Sequence, residues 1–432
     1  MRLARFNVDA TPAIGQPVAY APVRSVTDPL SVRGIVLTFD NQPPVVLCAV
    51  DWIAISNGGQ DVWKESLAEA AGTTSDRVTV HALHQHDGAR CDFTAEAKLE
   101  ELGLGGKFMN NEFCRATIAR ATEAIKEGLA QAQPVTHVGT GKAKVEKVAS
   151  NRRLLGEDGK VKMMRFSSCK DEESIAAPEG VIDPFLHQVS FWNQETPIAV
   201  LSYYASHPQS YYGDGDVTCE FVGLARNARD AEVPETLHVH FTGAGGNIAA
   251  GKYNDGSVEN RPRLTERLRT GMEAAWKGTA RKPISEEDCR WVAHKVLLPI
   301  PEDLRKSELE KVLNDESANE GAKAAAAMKL CWWERSQRDW NAEISVLRLG
   351  DVQILHMPGE LFVEYSLAAE EMRPDHFVCM AAYGQGGCWY IGTEIGYWQG
   401  GYETSKNASL VSPAVEEFLM KEIRSLLEES ER

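Results

Sequence analysis

No stretch of the 432-residue chain approaches the run of about 20 apolar residues that a membrane-crossing helix needs, so a helical membrane span is not expected. Positive charge is scarce: 46 Lys and Arg stand against 62 Asp and Glu, a formal net charge of −16. Nucleic-acid affinity comes largely from clustered Lys and Arg neutralising phosphates, so DNA and RNA are not expected partners. The opening residues, Met1-Arg2-Leu3-Ala4-Arg5-Phe6-Asn7, lack the apolar core of a secretion signal, and the expected location is cytoplasmic. Nine cysteines are present, an odd number, and none falls in a Cys-x-x-Cys pair. That usage predicts reduced, mostly buried thiols rather than a disulfide frame or a thiolate zinc site. The chain also lacks internal repeats and linkers rich in Pro, Gly or Ser, which predicts one large domain over 1–432.

What is present is the composition of an ordinary globular enzyme, 43% hydrophobic and 25% charged. Apolar runs with turn residues between them predict hairpins at 34–51 and 188–204. Helical spacing predicts helices over 60–71, 111–132, 220–230, 263–277 and 413–428, and short buried strands at 78–84, 237–242, 344–349, 352–356 and 377–382. The alternation of the two implies an α/β fold, with mixed β-sheets flanked by helices. A charge-rich helical stretch at about 302–340, with alanine at 322 and 324–327, reads as an insertion or lid. Nothing in the sequence fixes an oligomeric state.

Chemistry-bearing residues gather where these strands end. In Val78-Thr-Val-His81-Ala-Leu-His84-Gln-His86-Asp87, the strand period of two puts His84 and His86 on one face and His81 on the other. Two imidazoles so placed could bind one metal, or divide binding and acid/base work between them. His207 precedes Pro208, which holds it extended as the chain leaves a strand. Glu360 follows Pro358-Gly359 and is expected to open a helix over 360–372, where the dipole favours a carboxylate. The glycine-rich turn Gly243-Ala-Gly-Gly-Asn247 could offer N–H groups to an anion, but it lacks the Lys and Ser/Thr of a phosphate-binding loop, so a structural turn is the better reading. Trp389 and Trp398 flank Tyr390 in a segment too rich in glycine for a regular element, as in a functional loop.

In order, these segments resemble the catalytic domain of the neutral (non-lysosomal) ceramidase family, zinc amidases that hydrolyse the N-acyl bond of ceramide. Val8-Asp9-Ala10-Thr11-Pro12 resembles its opening Asp-x-Thr-Pro, Val50-Asp51 its strand-ending Asp, and Ala82-Leu-His84-Gln-His86-Asp87 its Ala-Thr-His-Thr-His-Ser. Asn151-Arg152-Arg153 is similar to its Asn-Arg-Ser, Ser206-His207-Pro208 to its Thr-His-Pro, and Met357-Pro-Gly-Glu360 to its Pro-Gly-Glu. Tyr390 and Tyr402, the latter followed by Glu403, reproduce a tyrosine pair with its trailing Glu.

The resemblance implies zinc ligated by His84, His207, Glu360 and Tyr390, with His86, Arg152 and Tyr402 around the reacting carbonyl. It implies a small N-acyl compound as substrate, and the catalytic domain without the β-sandwich that follows it in the family. One departure stands out: the family's Gly-Asp-Val-Ser-Pro-Asn reads Gly246-Asn-Ile-Ala249-Ala-Gly251 here, with alanine in place of the serine. Two other readings stay open on the residues alone. One is a zinc hydrolase of a carbohydrate or glycoside, motivated by Trp389 and Trp398. The other is a metal-containing binding protein without turnover, motivated by Ala249.

Overall fold

Three times the chain lays down an antiparallel hairpin, crosses over in a helix, and returns a strand parallel to the hairpin's second strand. A computed structural model describes residues 1–432. The first unit is Ser31–Thr38, Val45–Val50, helix Gly58–Ala71 and strand Val78–Ala82. The second is Phe185–Asn193, Thr196–Tyr204, helix Glu220–Glu232 and strand Leu237–Thr242. The third is Ala342–Leu349, Val352–His356, helix Val363–Met372 and strand Phe377–Ala381. The expected absence of a repeat therefore holds for the residues and fails for the topology. Any sequence with the right apolar periodicity satisfies such a unit, so the copies need share no residues.

Each sheet grows at its edge. Arg2–Asp9 and Gln133–Pro134 extend the first, His137–Lys144 and Ala280–Pro283 the second, and Cys289–Val296 the third. Strand alternation gives each sheet two apolar faces. Val45, Leu47 and Ala49 point into a central core shared with Leu201 of the second sheet and Leu347 and Ile354 of the third. Val46, Cys48 and Val50 point the other way, onto Trp63 and Leu67 of the helix Gly58–Ala71. The second and third sheets repeat this arrangement, covered outside by Leu264 and Leu268 and by Leu419, Ile423 and Leu426 respectively. Each fully buried Leu or Val contributes about 1.5–3 kcal/mol, so the three-sheet core is the main source of stability. All nine cysteines are free and eight are buried, as their spacing implied. No helix is long and apolar enough to cross a membrane.

The 302–340 stretch forms two helices, Lys306–Asn314 and Glu320–Arg335. Its alanines are a packing surface as well as helix formers: Ala324 and Ala327 lie with Leu330 against Ala95 and Leu99 of the helix Phe93–Glu101.

A buried ion pair ties the first unit to the second. Asp51 accepts two hydrogen bonds from the Arg226 guanidinium, at 2.6 and 2.9 Å, and two more from the Ser31 amide and hydroxyl at 2.8 Å. Burial pushes the Asp51 carboxyl up, but Arg226 outweighs it, and the net pKa lies below the usual value. A carboxylate depressed on folding adds stability that is present above its unfolded pKa of about 3.9 and is lost as pH falls through the folded value. Asp51→Asn leaves Arg226 charged and buried, so an urea midpoint shift equivalent to about 3–5 kcal/mol is expected. The same unfolding series run between pH 7 and pH 3 should show a weaker acid loss in Asp51→Asn than in the parent protein.

Candidate active site

The carboxyl ends of the parallel strands and of the hairpins' second strands come together, the usual place for a site in open α/β sheets. A cavity of about 270 Å³ opens there, lined by His84, His86, Glu360, Tyr390 and Tyr402 together with the apolar Ile53, Met109, Met328 and Trp389.

His84 reaches the cavity by a different route from the one its spacing suggested. The strand ends at Ala82, so alternation cannot place His84 and His86 on a common strand face. Instead His84 takes a left-handed backbone, φ 66°, rare for a residue with a side chain and of the kind that concentrates at functional sites. Its ring then meets His86 edge to face, 4.7 Å between centroids. His81 lies outside this cavity, with its Nδ1 2.6 Å from the Ala382 carbonyl.

Glu360 does not open a helix; that helix begins at Val363. Glu360 and Leu361 pair in parallel with Tyr390 and Ile391, which sets Glu360 directly opposite Tyr390. Gly359 permits the approach: its φ is 61°, and a Cβ there would lie 2.6 Å from both Cys388 Sγ and the Trp389 carbonyl.

Four of the seven candidate side chains converge on one point. One oxygen of Glu360, Oε2, lies 3.0 Å from His84 Nε2 and 3.2 Å from His207 Nε2. Tyr390 Oη is 3.1 Å from the same His207 nitrogen. The remaining nitrogens face main-chain carbonyls. His84 Nδ1 is 2.9 Å from the Ile53 oxygen, and His207 Nδ1 is 2.8 and 3.0 Å from those of Gly245 and Ile248. A carbonyl can only accept, so Nδ1 carries the hydrogen in both rings, and Nε2 is the atom each ring turns toward Glu360. Burial, then the Arg152 charge, holds His207 below its ordinary pKa and keeps it neutral. Burial pushes the Glu360 carboxyl up, but His84 and His207 outweigh it, so it stays ionised. Burial raises the Tyr390 phenol well above its ordinary value.

Arg152 stands behind this cluster. Its Nη1 donates to His207 Nε2 at 3.1 Å and Tyr390 Oη at 3.3 Å, and its Nε is 3.2 Å from Glu403. Glu403 is fully buried and also takes Arg153 at 3.0 Å. His86 has the opposite character. Its Nδ1 is buried without a partner, its ring packs beside Tyr20 and Tyr212, and burial holds its pKa well below the usual imidazole value. Tyr402 sits at the rim, 46% exposed, 5.8 Å from the Tyr390 ring.

Several expectations around the cavity change. In the glycine-rich turn the Gly243 and Gly246 amides are committed to the Tyr204 and Leu361 carbonyls. What it gives the site is the pair of carbonyls that orient His207. Trp398 does not flank the cavity: it is 55% exposed with Lys160 Nζ 3.6 Å over its ring, and it belongs to a short helix, Glu394–Gln399. Trp389 alone remains for a sugar-stacking role. Ala249 is fully buried, paired with Ser150, whose hydroxyl is committed to the Ala249 carbonyl at 2.7 Å. No spacing pointed to Tyr383, yet its ring stacks on His84 at 4.8 Å with its hydroxyl unpartnered. Its φ of 61° is the local mark of strain, and sequence cannot show it.

No family model and no curated protein matches the chain by sequence. Its fold, however, is that of solved ceramidases. The crystal structure of neutral ceramidase from Pseudomonas aeruginosa superposes with a TM-score of 0.72 at 16% identity, covering 98% of this chain and 73% of that one. A ceramidase complexed with C2 superposes with a TM-score of 0.71 at 15% identity, covering 99% and 75%. The chain thus has a neutral ceramidase-like fold.

Proposed function

On this neutral ceramidase-like fold, we propose that the chain is a zinc-dependent hydrolase that cleaves an amide (N-acyl) or similar carbonyl bond. The observation that carries the reading is the convergence of His84 Nε2, His207 Nε2 and Glu360 Oε2, with both rings held by main-chain carbonyls. Two imidazoles, a carboxylate and a phenol oxygen suit zinc, and carbonyl-anchored Nδ1–H groups are the usual outer support of zinc-bound histidines. His84, His207, Glu360 and Tyr390 would hold the ion. Bound there, zinc would polarise the substrate carbonyl and bring the pKa of a water from about 15.7 toward about 7.

The chain's own groups do the rest. His86, neutral and without a competing partner, takes a proton from the attacking water and returns it to the leaving nitrogen. Arg152, its charge balanced by Glu403, and Tyr402 stabilise the negative charge that develops on the carbonyl oxygen. The apolar side of the cavity receives the acyl portion. Met328 brings the 302–340 segment into that wall as a cover.

Metal analysis joined to a substrate panel tests the reading. One zinc per chain and turnover of N-acyl amides, but not of glycosides, are expected. Full activity in chelator-treated, metal-free protein would overturn it. For the cover, Met328→Asp should raise KM about tenfold, or about 1.4 kcal/mol, for long N-acyl substrates and leave N-acetyl substrates unchanged.

A further inference from the structure

A second cavity, about 320 Å³, lies behind the first, on the other side of the segments that form it. Thr79 and His81 face it from the strand whose end leads to His84; His356 and Met357 face it from the segment leading to Glu360; Gly384 and Gln385 follow Tyr383. The two cavities share no lining residue, and their character differs: the second is lined mostly by polar and charged side chains. Its size is within the roughly 300–1,000 Å³ of small-molecule sites.

Its inner wall carries unmet hydrogen-bonding capacity. Gln60 Oε1, Thr79 Oγ1, His356 Nε2 and Gln385 Nε2 have no partner, on residues only 7%, 7%, 3% and 4% exposed. Two of these side chains are fixed from behind. Gln60 Nε2 donates to the Val80 carbonyl at 3.0 Å, and Gln385 Oε1 accepts from the Asn57 amide at 2.7 Å, so their free ends are aimed by the fold. His81 presents an accepting Nε2, since its Nδ1 donates to the Ala382 carbonyl. Burial keeps His81 and His356 neutral. A wall that holds both neutral donors and neutral acceptors matches hydroxyl groups, each of which both donates and accepts. Buried polar groups are otherwise satisfied in folded proteins, so several unmet on one wall point to a ligand.

The mouth is different. Lys64 and Arg335 are neutralised by Glu343 and Asp61, but Lys295 and Arg338 have no carboxylate partner, and Glu65 is the single lining carboxylate without a cation. In a chain of net charge −16, two free cations at a cavity mouth form a local anion-attracting field. Trp340 lies beside them, with Lys295 Nζ 4.8 Å and Arg335 Cζ 5.1 Å from its ring.

We propose that this cavity binds a small polyhydroxylated anion, of the sugar phosphate class, with its hydroxyls on the Gln60–Thr79–His356–Gln385 wall and its phosphate between Lys295 and Arg338. Calorimetric titration of the zinc-loaded full chain with glucose 6-phosphate, glycerol 3-phosphate, glucose and inorganic phosphate tests it. Saturable one-to-one binding of a sugar phosphate is expected, weakened at least tenfold by Arg338→Glu on the surface and by Gln60→Leu within. Glu360→Ala, which alters only the first cavity, should leave it unchanged, as should hydrolysis by Arg338→Glu. The proposal is overturned if neither sugar phosphate binds saturably, if Arg338→Glu binds as tightly as the parent, or if Glu360→Ala abolishes binding.

Discussion

Glu360→Ala should yield a folded protein that retains no zinc and has no hydrolytic activity. Glu360 supplies the only negative charge among the four donors, and one of its oxygens lies within 3.2 Å of both histidine Nε2 atoms. Removing it leaves two imidazoles and a phenol whose proton burial makes harder to lose. Loss of an outer-shell partner already costs 10–100-fold in metal affinity, and loss of the central anionic ligand should exceed about 100-fold. Two measurements check this. Elemental analysis after gel filtration should fall from one zinc per chain to background. In thermal unfolding, zinc at about 100 times its Kd should stabilise the parent by about 2.7 kcal/mol and leave the variant unmoved. Stoichiometric zinc in purified Glu360→Ala would remove Glu360 from the ligand set and, with it, the basis of the proposed chemistry.

His86→Ala should give the reverse pattern: full zinc content with turnover lost. His86 touches the cluster only by ring packing, 4.7 Å from His84 and 6.1 Å from His207 between centroids, and its Nδ1 is tied to no protein group. A group so placed can move protons without helping to hold the ion. General acid–base catalysis contributes about 10²–10⁴-fold, so kcat should fall by that factor, or about 3–5.5 kcal/mol in the barrier, with KM little changed. Added imidazole should restore part of the lost turnover in His86→Ala and none in Glu360→Ala. If His86→Ala loses its zinc in step with its activity, His86 is a ligand and the division of labour between the two histidines fails.

Strand alternation points to His84 and His86, yet the strand stops at Ala82, and what turns His84 into the cavity is its left-handed backbone. Its sequence neighbours put Glu360 at a helix start, where the dipole alone accounts for its charge. The structure sets it instead opposite Tyr390 on a two-residue ladder. Nothing in the spacing of Tyr383 distinguishes it from a core aromatic. The four unmet polar atoms of the second cavity come from Gln60, Thr79, His356 and Gln385, and each alone reads as an ordinary buried polar residue.

The sequence by itself determined the elements and their apolar faces. Hairpins, crossover helices and two-faced strands follow from periodicities of 2 and 3.6, which are local and survive any exchange of one apolar residue for another. It also determined the absence of membrane-length apolar runs and the acidic balance that disfavours nucleic acid, since both are properties of composition. Tertiary structure alone decided that three such units close around one core, and that His84, His207, Glu360 and Tyr390 meet at a point. Those outcomes depend on a few ångströms of backbone between segments as far apart as His81 and Ala382, 301 residues along the chain. A lone pair is aimed by the carbonyl behind its ring, and which carbonyl stands there is fixed only when the strands have packed.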